Sequence, residues 1–115
     1  MIYLDDKTQK NIEATIKSVV KMKLLEGFQN RKYQPVAKVE EMQIGYNINE
    51  EKSNRNLIVI GPVTIKTRVF VNLKDNLGQA TDWLNLRIDT IEFLFDESAN
   101  DFVISDSQIE LIDMS

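Results

Sequence analysis

The apolar residues of this chain change their spacing once, and that change bounds what it can fold into. Between Asp5 and Glu26, Ile12, Ile16, Val19, Val20 and Leu24 recur at intervals that place them on one face of an α-helix. Further on the period falls to two. Met42, Ile44, Tyr46 and Ile48 alternate with Gln43, Gly45, Asn47 and Asn49, the pattern of a half-buried strand. A one-faced helix and one-faced strands each need a partner surface, and packing the helix on the sheet satisfies both.

Asp6 followed by Gln9 fits a capping box, and Gly27 is a natural left-handed terminator. A helix of about twenty residues is ~30 Å long, enough to cross a small sheet. At about 100° per residue, Lys7, Lys10, Lys17 and Lys21 fall opposite the apolar stripe. Lys23 falls at the centre of the stripe, where it must snorkel past the core edge or meet a carboxylate.

Among the later segments, Pro35 to Glu41 reads either as a short helical turn or as an edge segment. Asn49 to Asn56 is polar and reads as a hairpin loop. Leu57 to Ile60 is apolar on both faces, whereas Val63, Ile65, Thr67, Val69, Val71 and Leu73 alternate with polar partners other than Phe70. Gly61-Pro62 between them is expected to bend or bulge the strand, since proline removes a ladder donor. Lys74 to Gly78 reads as a turn.

In Trp83 to Phe95 the apolar phase shifts from Leu84, Leu86 and Ile88 to Ile91, Phe93 and Phe95, which predicts a β-bulge. A helix from Asp82 would also gather Leu84, Ile88, Ile91 and Phe95, but the density of Ile and Phe favours strand. Asp96 to Asp101 forms another polar turn, and Phe102 to Ile112 reads as a last strand with a phase change near Ser105 to Ser107.

The expected fold is therefore α+β: one N-terminal amphipathic helix packed on a curved antiparallel sheet of about four strands, residues 1–115 forming a single domain. This element order is similar to that of the cystatin-like and NTF2-like folds. The resemblance implies a curved sheet wrapped on the helix, an arrangement that hosts unrelated functions.

A chain of 115 residues with 43% apolar and 28% charged content can bury one core. Its first residues lack the basic segment, apolar run and cleavage site of a signal peptide, and its apolar runs are too short to span a bilayer. A cytoplasmic protein without a membrane partner is expected. Cysteine and histidine are absent, which excludes disulfides, thiolate zinc sites and Ser-His or Cys-His nucleophiles. Four glycines provide neither a Walker loop nor a dinucleotide fingerprint. Carboxylate, Lys, Tyr or Ser/Thr chemistry survives; the expectation is a non-enzyme with no cofactor.

The net charge of −4 hides an asymmetry, because residues 1–38 carry eight basic and four acidic groups while residues 39–115 carry six basic and fourteen acidic ones. No basic residue follows Arg87. The two poles can pair within one molecule, meet between subunits or attract a charged protein.

Three candidate sites follow. Asp96, Ser98 and Asn100 alternate as calcium ligands do, but Asp101 stands where glycine is needed and Ser107 where a bidentate glutamate is needed. No metal site is expected. Lys7, Lys10, Lys17 and Lys21 form a stripe that could follow nucleic-acid phosphates, although no aromatic residue is interleaved and the helix has no arginine. Trp83 is in phase with Asn85, Arg87 and Asp89, so Trp83 and Arg87 are candidate protein-interface contacts. The rival is that the predicted bulge turns Trp83 into the core, the commoner fate of a lone tryptophan in a small domain. If the phase shift persists, Ile91, Phe93 and Phe95 would share the Trp83 face.

These features favour a non-catalytic protein-interaction or assembly module, a homo-oligomer or the partner of another protein, acting through its sheet. The alternatives are nucleic-acid binding by the helix, and a small-molecule or carboxylate-based catalytic cavity between helix and sheet.

Overall fold

A computed structural model describes residues 4–28, 35–104 and 109–114. Helix α1 spans Asp6–Leu25 and buries Ile12, Ile16, Val20 and Leu24, with Val19 and Lys23 half-buried at the margins of that stripe. Its cap lies one residue before the position the sequence suggested. Asp5 has extended backbone and its carboxylate accepts the Thr8 N–H at 2.7 Å, while the Gln9 side chain donates to the Leu4 carbonyl at 3.0 Å.

Seven strands follow among the described residues: β1 Val36–Gly45, β2 Leu57–Ile60, β3 Val63–Asn72, β4 Gln79–Ile88, β5 Ile91–Asp96, β6 Asp101–Ile104 and β7 Ile112–Asp113. They form two antiparallel sheets, ordered β1-β3-β4-β7 and β2-β5-β6. The bend expected at Gly61-Pro62 is present and has a counterpart at Asp89-Thr90. Ile60 pairs with Ile91 on one side of the break, and Val63 with Ile88 on the other. One long ladder thus passes from the smaller sheet to the larger through a corner. Gly61 makes the corner possible, since its φ is +150° and a Cβ there would collide with the Asp89 carbonyl oxygen.

The same break replaces the predicted β-bulge in Trp83 to Phe95. Two residues without ladder pairing reset the alternation, so Leu84, Leu86, Ile88, Ile91 and Phe93 all face the core. Ile91 and Phe93 therefore do not share the Trp83 face. Residues 82–95 are extended throughout apart from Asp89 and Thr90, and the helical alternative fails. In place of one last strand over 102–112, β6 belongs to the smaller sheet and β7 to the larger. The phase change expected near Ser105 to Ser107 lies outside the described residues.

The ambiguous Pro35 to Glu41 segment is strand, and its ambiguity has a cause. Ala37 and Glu40 have no opposite residue in β3, so two bulges interrupt the period of two. The second bulge also serves a polar group in the core. Thr67 is fully buried, and its hydroxyl donates to the Glu41 carbonyl at 2.6 Å.

One apolar cluster joins α1 to the inner faces of both sheets. Asn11 in the first half of the helix donates to the Phe102 carbonyl of β6 at 3.2 Å, while the second half lies along β1, where Lys17 and Lys21 border Val39 and Met42. The helix lies across the corner and packs on both sheets.

Candidate functional site

An exposed strand edge is the part of such a fold most ready to bind another chain, so the fate of each edge identifies the site. β2 is covered by the segment after β1: Asn49 N–H donates to the Val59 carbonyl at 2.8 Å and Gly61 N–H to the Asn47 carbonyl at 2.9 Å. β6 lies beside α1, whose Asn11 occupies the Phe102 carbonyl. β1 follows Pro35 directly and carries two bulges. β4 differs. β7 pairs only with Leu86 and Arg87, and beyond it Met114 N–H donates to the Asn85 carbonyl at 2.7 Å.

The remainder of β4 is open among the described residues. Asn85 turns its carbonyl toward β7, whereas the Gly78 carbonyl accepts Leu73 N–H on the β3 side at 2.8 Å. Alternation then directs the N–H and C=O groups of Gln79, Thr81 and Trp83 outward. Of these, Trp83 N–H is satisfied locally by the Asp82 carboxylate at 2.9 Å.

Beside this edge lies the outer face of the larger sheet, which no helix among the described residues covers. Its side chains form cross-strand rows: Lys38, Phe70 and Thr81; Glu41, Arg68 and Trp83; Gln43, Lys66 and Asn85; Gly45, Thr64 and Arg87. Trp83 is 40% exposed and stays on this face, so the predicted rotation into the core does not occur. Lys66 Nζ sits 5.2 Å above its ring centroid, and Lys38 Nζ lies 5.9 Å from the Phe70 ring. Arg87 shares the face but is held by Asp89 at 2.9 Å. Trp83 and Arg87 are four residues apart on one strand, roughly 13 Å, so the structure places them on one surface without bringing them together. A shallow hollow of about 560 Å³ lies over Gly45 and Thr64, bordered by Gln43, Lys66, Asn85, Arg87 and Met114.

The charged residues of this face pair locally. Arg68 meets Glu40 at 2.8 Å and Glu41 at 3.0 Å, and Lys38 lies 4.0 Å from Glu40. These neighbours mute the face as an anion-binding surface.

The other candidates lie elsewhere. Lys7, Lys10, Lys17 and Lys21 are all exposed on the outer side of α1, with Lys17 and Lys21 beside a crevice of about 400 Å³ that also touches Ser18, Val39, Glu40 and Met42. Asp96 to Asp101 closes the β5–β6 hairpin: Asp96 Oδ1 accepts Ser98 N–H at 2.9 Å and Asp101 Oδ1 accepts Phe102 N–H at 2.8 Å. Among the described residues no group of three or more acidic side chains could hold a metal ion.

Sequence reasoning missed Gln79, Thr81, Asp82 and Lys66, because strand order decides which edge is open and which cation lies over Trp83. It also missed Tyr46. Partial burial raises the Tyr46 phenol above its ordinary value of 10.0, and so does the Glu13 carboxylate, which accepts its hydroxyl and ties β1's extension to the helix.

Comparison with protein-family profiles, curated sequences and solved structures gives no match. The site is therefore read on its geometry. No helix among the described residues is long and apolar enough to cross a membrane.

Proposed function

We propose that the protein is a non-catalytic interaction module that takes an additional strand from a protein partner at the open edge of β4, with Trp83 and Arg87 as flanking contacts on the outer face. The observation that carries this reading is the outward side of β4 at Gln79, Thr81 and Trp83, where no described strand pairs and main-chain donors and acceptors are presented by a strand already paired with β3. An aromatic side chain next to such an edge supplies apolar contact where main-chain bonds supply register. The Asp82 carboxylate at the Trp83 N–H supports the same reading, because a side chain that satisfies an edge donor restrains indiscriminate pairing.

The test uses the full chain as bait in its host lysate beside two variants. Thr81→Pro removes an outward N–H at an edge position where proline is tolerated; Lys17→Glu alters the distant helix face. Protein capture by the parent and by Lys17→Glu, lost with Thr81→Pro, supports the reading. Capture unaffected by Thr81→Pro overturns it. So does salt-sensitive retention of nucleic acid that disappears when Lys7, Lys10, Lys17 and Lys21 are replaced by Ala.

A further inference from the structure

The proposed strand-addition site can be given an occupant, an inference that rests on that reading. We infer that the strand added at β4 is β4 of a second copy, related by a two-fold axis through Thr81.

The available window sets the register. It begins at Gln79, the first residue of β4, and ends at Trp83, because the Asn85 carbonyl is already bonded to Met114. Five residues with outward groups at Gln79, Thr81 and Trp83 have their centre at Thr81. Antiparallel pairing about that centre sets Thr81 opposite Thr81 and Gln79 opposite Trp83, using every outward group for about six main-chain hydrogen bonds. Shifting the axis to Asp82 would set two carboxylates directly opposite each other and drive Gln79 onto the occupied Asn85. With the axis at Ala80, Trp83 would face Leu77, outside the strand, and lose two of the bonds. The Thr81 axis instead places Asp82 opposite Ala80, a small neutral neighbour, and sets the two threonines side by side, a favourable cross-strand pair.

The flanks agree with the same axis. Leu77 is 75% exposed and Met114 is 55% exposed, more than any other large apolar side chain described. They stand at opposite ends of the window: Leu77 just before β4, Met114 alongside Asn85. A two-fold through Thr81 carries Leu77 of one copy to the level of Asn85 in the other, against its Met114. Both exposed groups are then covered twice over by symmetry. Pairing releases the Asp82 carboxylate from the Trp83 N–H, so this aspartate restrains dimerisation rather than contributing to it.

Sedimentation equilibrium and oxidative cross-linking of the purified full chain test the inference. A concentration-dependent dimer is expected, weakened about tenfold or more by Thr81→Pro, which deletes two of the central bonds. Asp82→Ala should tighten it. The chain has no cysteine, so Thr81→Cys introduces a unique thiol. Paired Cα atoms about 5.5 Å apart fall within disulfide range, and a disulfide-linked dimer is expected from Thr81→Cys but not from the exposed Thr64→Cys. A protein that stays monomeric and does not cross-link, yet captures another protein by the β4 edge, overturns the second copy and leaves the strand-addition reading intact. A dimer that is indifferent to Thr81→Pro, and that Thr81→Cys fails to link, forms elsewhere and overturns the second copy at β4; the strand-addition reading falls as well if Thr81→Pro also leaves protein capture unchanged.

Discussion

Two side chains tie local chemistry to stability at opposite ends of the pH scale. The Asp5 carboxylate is held below its ordinary value of 3.8, chiefly by its bonds with Thr8 and further by nearby Lys7. A depressed acid favours the folded state above its unfolded pKa and loses that contribution as pH falls through the folded value. Asp5→Ala should therefore melt below the parent at neutral pH, with the gap closing as pH drops below 3.8. Matched thermal melts at pH 7 and pH 3 check this. Tyr46 behaves in reverse. Its raised phenol favours the folded state below pH 10.0, and the contribution disappears as pH rises through the folded value. Tyr46→Phe should lose stability less steeply above pH 10.0 than the parent, as alkaline denaturation curves will show.

At the scale of elements, the corner and the helix stripe are the sensitive points. Gly61→Ala sets a Cβ against the Asp89 carbonyl at a positive φ, and should cost about 3 kcal/mol or more, measured by urea unfolding. Ile16→Asp buries an unpaired charge in the cluster and should remove most of a small domain's stability, typically about 5–15 kcal/mol, whereas Lys17→Glu on the exposed face should melt close to the parent.

The helix, its buried face and the alternation of β3 were legible because each obeys one period over many residues. Ala37 and Glu40 concealed the start of β1, since a bulge breaks that period without leaving its own mark in composition. The division into two sheets was hidden for another reason: it depends on Gly61-Pro62 facing Asp89-Thr90, segments far apart in sequence. The phase of Trp83 with Asn85 and Arg87 pointed outward, but the commoner fate of a lone tryptophan pointed into the core, and the strand pairing decides for the outer face. The open edge beside it was not legible, because a two-residue β7 returning from the chain end decides how much of β4 remains unpaired.

At the scale of the whole molecule, the described structure measures 52 × 26 × 23 Å, an elongated body with its helix bridging two sheets through one core. Because the cluster is continuous, damage in the smaller sheet should be felt in the larger. Phe93→Ala, at a fully buried position of β5, should cost about 3–5 kcal/mol, and helix and strand signals in circular dichroism should fall in one shared transition. The bond from Asn11 to Phe102 carries a separate consequence, for it joins residues 91 positions apart. During synthesis the second half of α1 can rest on β1 as soon as that strand is made, whereas Asn11 gains its bond only once Phe102 has followed, so the helix docks in two stages.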